Sequence, residues 1–482
     1  MKSQLVFVPC PGMGHLVSLV EFAKLLITHY QRLSITLLVI KPPFDDAVDA
    51  YIHSLTSSGS FPTRLRFTLL PPHPNPTRSH PLHLSSFLDS LIESQKLDVR
   101  DAVSKLISAP DSPRLAGFVV DMFCTTMIDV AAEFRVPAIV FFTSSAAFLG
   151  FSLHVHTLRE REKVDTTALN FTESGTAFAI PSFDSHVPAN VFPSVMLDKE
   201  WAKFFFSHAC RIKKAKGVIV NTFEELESHA VQSFSNSDLT VYPVGPILSA
   251  GENRTVPQGS DHVMKWLDDQ PTSSVLFLCF GSRGYFDEDN QVKEIARALE
   301  TSRVHFVWSL RKPPPKGSVE APGDYSDLEE VLPEGFLKRT AEIGRVIGWA
   351  PQAQILAHRA VGGFVSHCGW NSILESVHYG VPIATWPLYA EQQTNAFQLV
   401  RELKMSVEIS LDYRGKGGNN VSKSGVISAE RIEEGIKEVM EKEREVRKKV
   451  KEMSEMSKKA LMEGGSSFSY LGRFVRDILN YD

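Results

Sequence analysis

Gly362-Gly-Phe-Val-Ser-His-Cys-Gly-Trp-Asn-Ser-Ile-Leu-Glu375 reads as a strand, a turn and a helix in direct succession. Gly363–Ser366 is a short apolar strand, the turn contains a glycine, and the helix starts near Asn371. That succession is the unit from which parallel sheets covered by helices are built. Backbone N–H groups of the turn, with His367, Asn371 and Ser372, converge where a helix start favours an anion.

The flanking residues suit the rest of a nucleotide sugar. Upstream, Trp349-Ala-Pro-Gln-Ala-Gln-Ile-Leu-Ala-His358 supplies in Trp349 a flat face for a base. Glu375, one turn into the helix, is placed to accept hydrogen bonds from ribose hydroxyls. Downstream, Gly380-Val-Pro-Ile-Ala-Thr-Trp-Pro-Leu-Tyr-Ala-Glu391-Gln392 ends in paired acceptors and donors for another polyol.

The same alternation of β-branched runs and amphipathic stretches fills the chain. In the first half Leu5–Val8, Ile35–Ile40, Leu65–Leu69, Gly117–Asp121, Ala138–Phe142 and Gly217–Asn221 read as strands. Between the first two, Leu16–Tyr30 sets Leu16, Leu19, Val20, Ala23, Leu26 and Ile27 on one helical stripe. Val241–Asp261, rich in Pro, Gly, Asn and Ser, breaks the pattern and is the expected domain linker. Val275–Phe280, Val304–Ser309, Arg345–Trp349, Gly363–Ser366 and Ile383–Trp386 then form a second set of strands. Lys312–Glu334 and Asp412–Ser424 read as polar loops. Arg431–Asp482 is mostly helical, and its last piece, Tyr470–Leu479, is apolar enough to dock. Open α/β sheets bind ligands outside the carboxyl ends of their strands, so two facing sheets would form a cleft with one substrate on each side.

Bulk properties narrow the class. A chain of 482 residues is long enough for two domains. Composition is that of a globular enzyme, 43% apolar and 22% charged. The net charge of −5 argues against a nucleic-acid binder, which needs a basic face. The basic run Lys442–Lys459 is interleaved with glutamates and reads as a solvated helix face. Five scattered cysteines with no CxxC pair suggest reduced thiols in the cytosol. The short apolar run before Pro9 reads as a first strand, and no uncharged stretch approaches a membrane span. Asn170, Asn253 and Asn420 open glycosylation patterns that mean little without secretion.

Pro9-Cys-Pro-Gly-Met-Gly-His15 follows the first strand and opens a helix. Gly12 and Gly14 permit a tight turn, and the helix dipole disfavours a charged imidazole at His15. Gly12-x-Gly14 also resembles a dinucleotide fingerprint, but Lys41-Pro-Pro stands where that motif wants an acid. Asp121 closes another strand, where it either fixes the His15 tautomer or caps the helix that begins near Thr125. Asp287-Glu-Asp289 matches a manganese-binding triplet in form, yet it precedes the helix Gln291–Leu299 and reads as acidic capping. No metal is implied.

Trp349 to Gln392 resembles, almost position by position, the signature box of plant secondary-product UDP-sugar glycosyltransferases. The resemblance covers essentially the whole chain, through Pro11-Gly-Met-Gly-His15, Phe118-Val-Val-Asp121-Met-Phe-Cys, Val220-Asn-Thr-Phe-Glu-Glu-Leu-Glu and Phe277-Leu-Cys-Phe-Gly-Ser282. It implies an α/β chain of the GT-B fold: two facing Rossmann-like, doubly wound domains with a cleft between them. Residues 1–245 would bind the acceptor and residues 246–460 the UDP-sugar, with a C-terminal helix at 461–482 packing back on the first domain. Trp349 would stack on uracil, Ala350 and Gln352 bond its edge, and Glu375 hold the ribose. Ser282, His367, Asn371 and Ser372 would take the diphosphate, while Trp370, Glu391, Gln392 and Thr143 surround the glucose.

The resemblance makes His15 the base and Asp121 its partner in an inverting, metal-independent O-glucosyltransferase. The acceptor would be a flavonoid, phenolic, apocarotenoid or terpenoid, and the enzyme a cytosolic monomer without integral membrane association. Glu391 stands where many relatives have Asp, Arg283 where a neutral residue is usual, and Gln392 accompanies glucose. Phe123, Phe148, Phe192 and Phe205 are candidates to line the acceptor pocket. A nicotinamide-dependent oxidoreductase built on Gly12-x-Gly14 leaves the second box unexplained. A non-catalytic sugar-nucleotide or hormone binder would have no need of both His15 and Asp121.

Overall fold

The computed structural model describes residues 2–41, 47–57, 62–72, 83–248, 260–286, 289–315, 320–415 and 425–481. Asn253, Asn420 and the first two residues of the acidic triplet lie outside them. The chain divides into two compact units: Met1–Val164 with Lys199–Arg254 and Lys459–Asp482, and Asp165–Asp198 with Thr255–Lys458.

The first unit is built on a sheet of seven parallel strands. In chain order these begin with β1 (Ser3–Val8), β2 (Leu33–Val39), β3 (Leu65–Leu69), β4 (Arg114–Asp121) and β5 (Ala138–Phe142). The excursion into the second unit holds the short antiparallel pair β6 (Ala177–Phe178) and β7 (Val187–Pro188). The sheet is completed by β8 (Gly217–Val220) and β9 (Val241–Pro243), giving the order β3-β2-β1-β4-β5-β8-β9. Most of these strands are buried along their whole length, as expected where helices cover both faces of a parallel sheet.

Its core is aromatic at the centre. Phe22, on the helix Met13–His29, packs against Phe7, Phe141 and Phe474 with ring centroids 5.9, 5.3 and 5.9 Å away. Phe474 comes from the last helix, Ser466–Leu479, which also buries Leu471, Val475 and Ile478 in this core. A Cβ on Gly117 of β4 would fall 2.9 Å from Ile478 Cδ1, so the helix seats on a strand that lacks one.

Two expectations are corrected here. Val241–Pro243 is not linker but the edge strand β9, paired parallel to β8. Proline is tolerated there because an edge strand can spare a ladder bond. Tyr242 is buried and its hydroxyl donates to Asp477 Oδ2 at 2.8 Å. Beyond it, Asn221 exchanges two hydrogen bonds with Ile247, so the first unit continues past residue 245. A division at 245/246 also misses the excursion Asp165–Asp198, whose carbonyls are bonded by Arg414 of the second unit.

The second unit repeats the plan with six parallel strands: β10 (Val275–Cys279), β11 (His305–Ser309), β12 (Gly344–Ile347), β13 (Val361–Ser366), β14 (Ile383–Thr385) and β15 (Ser406–Glu408). Their order is β12-β11-β10-β13-β14-β15. In both sheets the winding reverses beside the first strand, between β1 and β4 and between β10 and β13. No helix among the described residues is long and apolar enough to cross a membrane.

Phe474→Ala removes the aromatic that joins the last helix to Phe22 and Tyr242. Urea denaturation of this variant is expected to show a loss of about 3–5 kcal/mol, against a negligible change if the helix were merely laid on the surface.

Candidate functional site

In the first unit, parallel pairing of β1 with β4 sets Val8 beside Val120, so the turn after β1 and the last residue of β4 share one edge. His15 lies in the first turn of the helix Met13–His29, and Asp121 is the last residue of β4. Their side chains meet: His15 Nδ1 is 2.8 Å from Asp121 Oδ2. The carboxylate is fully buried, whereas 28% of the imidazole side chain remains exposed. A carboxylate only accepts, so Nδ1 carries the proton, and in the neutral ring the lone pair is on Nε2.

Asp121 Oδ1 accepts the Phe123 N–H at 3.0 Å. Asp121 thus orients the imidazole and closes its own turn, while the next helix begins only at Met127, with Thr126 before it. Thr143 places its hydroxyl 3.4 Å from His15 Nδ1. Cys10 is buried nearby, and burial together with the Asp121 charge pushes its thiol well up, keeping it protonated.

Aromatic side chains stand beside the histidine. The Phe123 ring is 5.4 Å from His15 and 5.1 and 5.2 Å from Phe204 and Phe205. Phe148 reaches Phe205 at 6.3 Å. The helix Lys199–Ile212 also brings His208, whose Nδ1 is 2.7 Å from Thr125 Oγ1, and burial pushes this imidazole down to about 3. Phe204 and His208 were not singled out in the sequence, although Trp201, Phe204, Phe205 and His208 recur at i, i+3, i+4 and i+7. Phe192 is buried in the second unit, 5.1 Å from both Phe171 and Phe178, and its carbonyl and that of Asn190 accept from Arg414.

In the second unit, His367 follows β13 and Gly281 follows β10. The imidazole is wedged between two glycines: a Cβ on either Gly281 or Gly369 would fall 2.5 Å from His367 Nε2. Gly281 also adopts φ +78°, which glycine favours. Burial pushes His367 down to about 4, so the ring is neutral at pH 7. Its Nδ1 is buried without a partner among the described residues, which puts the proton on Nε2 as a donor. Asn371 and Ser372 occupy the first turn of the helix Trp370–Tyr379, whose leading N–H groups suit an anion. Asn371 and Ser282 are exposed and Trp370 is nearly enclosed.

Gln352 ties this site together. Its Nε2 donates to Ser372 Oγ at 2.8 Å and to Glu375 Oε2 at 2.7 Å, so its amide protons face the helix. Ala350 is buried and Trp349 half-buried just upstream. Glu391 precedes the helix Gln392–Phe397, and Gln392 Oε1 accepts the N–H groups of Leu388 and Tyr389, both at 2.9 Å. Arg283 is exposed, and its charge opposes the burial that pushes Tyr389 up to about 12.

Each cluster therefore sits at the carboxyl ends of its own sheet, where the winding reverses and α/β sheets take their ligands. Residues 257–459 match the family described as UDP-glucoronosyl and UDP-glucosyl transferase. The chain is 53% identical to UDP-glucose flavonoid 3-O-glucosyltransferase 6 of Fragaria ananassa, across 99% of this chain and 98% of that one. It is 49% identical to anthocyanidin 3-O-glucosyltransferase 1 of Manihot esculenta, across 97% of this chain and all of the other. Among solved structures it resembles a Medicago truncatula enzyme complexed with UDP-glucose, with TM-score 0.86 and 38% identity over 99% of both chains. A Siraitia grosvenorii transferase in complex with UDP gives TM-score 0.86 at 46% identity, over 99% of this chain and 100% of that one.

Burial of His208 and His367 is expected to make the fold acid-labile. Unfolded imidazoles titrate near 6.5, but the native ones resist protonation down to about 3 and about 4. Between those limits the unfolded chain binds protons the native chain refuses, so stability falls as pH falls through that window. Denaturation midpoints measured between pH 7.5 and 5 should drop, and His208→Phe should flatten that drop.

Proposed function

The chain belongs to the plant family 1 UDP-glycosyltransferases, and from that premise we propose that it transfers glucose from UDP-glucose to a hydroxyl of a small, largely apolar acceptor, of which flavonoids and related phenolics are the favoured class. The architecture is that of the GT-B fold, α/β with parallel sheets of seven and six strands. The observation that carries the mechanism is the 2.8 Å bond between His15 Nδ1 and the buried Asp121, which leaves Nε2 as the basic nitrogen.

In this reading His15 Nε2 takes the acceptor hydroxyl proton as that oxygen attacks the anomeric carbon and UDP departs from the opposite face. The imidazolium that forms is stabilised by Asp121. Phe123, with Phe204 and Phe205 behind it, offers the acceptor an apolar wall, and Thr143 flanks the base. On the donor side, the His367 Nε2–H, Ser282, Asn371, Ser372 and the first-turn N–H groups receive the diphosphate, whose charge grows as the bond breaks. Trp349 stacks on uracil beside Ala350 and Gln352. Glu375, oriented by Gln352, holds the ribose, and Glu391 and Gln392 hold the hexose with Trp370 beneath them. Gln352 differs in emphasis from the sequence reading, because its amide protons are spent on Ser372 and Glu375 and only its carbonyl is left for the base.

Donor names among the relatives support glucose, and flavonoid and anthocyanidin names among them support the acceptor class. All five cysteines are unpaired thiols, four of them buried, which suits the reducing cytosol.

Incubation with UDP-glucose and a panel of flavonoids, phenolic acids and terpenoid alcohols, with chelator present, should give a product heavier by one hexose. His15→Ala should lower kcat by ~10²–10⁴ while UDP affinity by calorimetry stays unchanged, and Asp121→Asn should lose most of the rate by releasing the tautomer. Near-normal turnover in His15→Ala would exclude it as the base.

A further inference from the structure

The helix Gln392–Phe397 opens with polar residues where an enclosed helix is normally apolar. Gln392, Gln393, Thr394 and Asn395 are at most 2% exposed. Burying four such side chains in a row is costly unless each is bonded. Each makes at least one bond, although Asn395 Oδ1 has no partner among the described residues. Gln392 takes the N–H groups of Leu388 and Tyr389. Gln393 Nε2 donates to the Tyr413 carbonyl at 2.9 Å, with Ser194 Oγ 3.5 Å from its Oε1. Thr394 Oγ1 donates to the Val191 carbonyl at 3.0 Å. Asn395 Nδ2 donates to the Cys368 carbonyl at 3.0 Å and lies 3.5 Å from Glu391 Oε1.

Two of these anchors, Val191 and Ser194, belong to the excursion Asp165–Asp198, which is itself fastened at several points. Arg414, 7% exposed, donates to the carbonyls of Asn190 and Phe192 at 2.7 and 2.8 Å and to that of Asp412 at 2.8 Å. Burial lowers its guanidinium only to about 10, so it stays charged at neutral pH. Asn190 Nδ2 donates to Asp412 Oδ2 at 3.0 Å. Glu402 accepts the N–H groups of Asp184 and Ser185 at 2.7 and 2.9 Å. A buried cation and a buried hydroxyl thus converge on Asn190–Phe192, and the hydroxyl belongs to the helix that Glu391 begins.

We propose that Thr394 and Arg414 are positioning residues for the donor sugar: through the turn Asn190–Phe192 they fix the start of the helix Gln392–Phe397, and with it the carboxylate of Glu391 and the amide of Gln392. This rests on the reading that Glu391 and Gln392 hold the hexose. It gives the excursion a task at the donor rather than the acceptor. A polar network of this kind tolerates few alternative arrangements, because a slip would break several buried hydrogen bonds at once. The helix start is therefore specified more tightly than apolar packing would specify it.

The test compares the affinities of UDP-glucose and UDP, measured by calorimetry without acceptor, for Thr394→Val, Arg414→Met, Arg414→Lys and Glu391→Ala. UDP lacks the hexose, so a loss of stability alone does not separate the two ligands. Thr394→Val and Arg414→Met should weaken UDP-glucose roughly tenfold, about the worth of one hydrogen bond to a charged group, and leave UDP unchanged, with Arg414→Lys intermediate. Should Arg414→Met fail to fold, Thr394→Val decides alone. A ratio altered by Glu391→Ala but by neither Thr394→Val nor Arg414→Met refutes the positioning role. A ratio that even Glu391→Ala leaves unaltered refutes the hexose assignment, and the positioning role falls with it.

Discussion

The parallel ladder between β1 and β4 joins residues more than a hundred positions apart, and the chemistry of the first unit depends on it. Parallel strands end at the same edge, so the turn after Val8 and the carboxylate of Asp121 arrive together. A fully buried carboxylate is costly unless it is bonded, and here both oxygens are taken, one by His15 and one by the Phe123 N–H. The pair is thereby held in one geometry, and in the proposed mechanism Asp121 would need no reorganisation as the imidazole gains its proton.

The second unit solves a related problem without a carboxylate. His367 is enclosed by backbone from two glycines, and desolvation keeps it neutral. In the proposed function, a neutral ring donating from Nε2 would complement a diphosphate without adding a buried cation, and the helix start would supply further N–H groups. Around that centre Gln352, Gln392 and Asn395 act as ties between loops. Much of the polar signature of this stretch is thus employed in holding the site's shape, with fewer groups left to touch ligand directly.

How much of this could be read from the sequence depended on where each signal lay. The β-branched runs located eleven of the sheet strands, because buried parallel strands are continuous apolar runs. Ser406–Glu408 escaped because it is short and mostly polar, and Val241–Pro243 because its proline suggests a break when a sheet edge accepts it. The motif turns exposed His15, Asp121, His367 and Glu375 as candidates, since glycines and strand ends mark functional positions. The excursion Asp165–Asp198 was invisible: its placement follows from Arg414 and Glu402, more than two hundred residues away, and no local pattern records such a bond. The aromatic face of Lys199–Ile212 was legible at helical spacing but was not separated from ordinary core.

The most direct test of the central claim is the configuration of the first-turnover product from UDP-α-glucose, read from the anomeric proton by NMR. If His15 activates the acceptor for a single displacement, the product is the β-glucoside and no α-glucoside precedes it. A product that retains the α configuration would require either a double displacement or attack from the face that UDP leaves, and would contradict the roles proposed for His15 and Asp121.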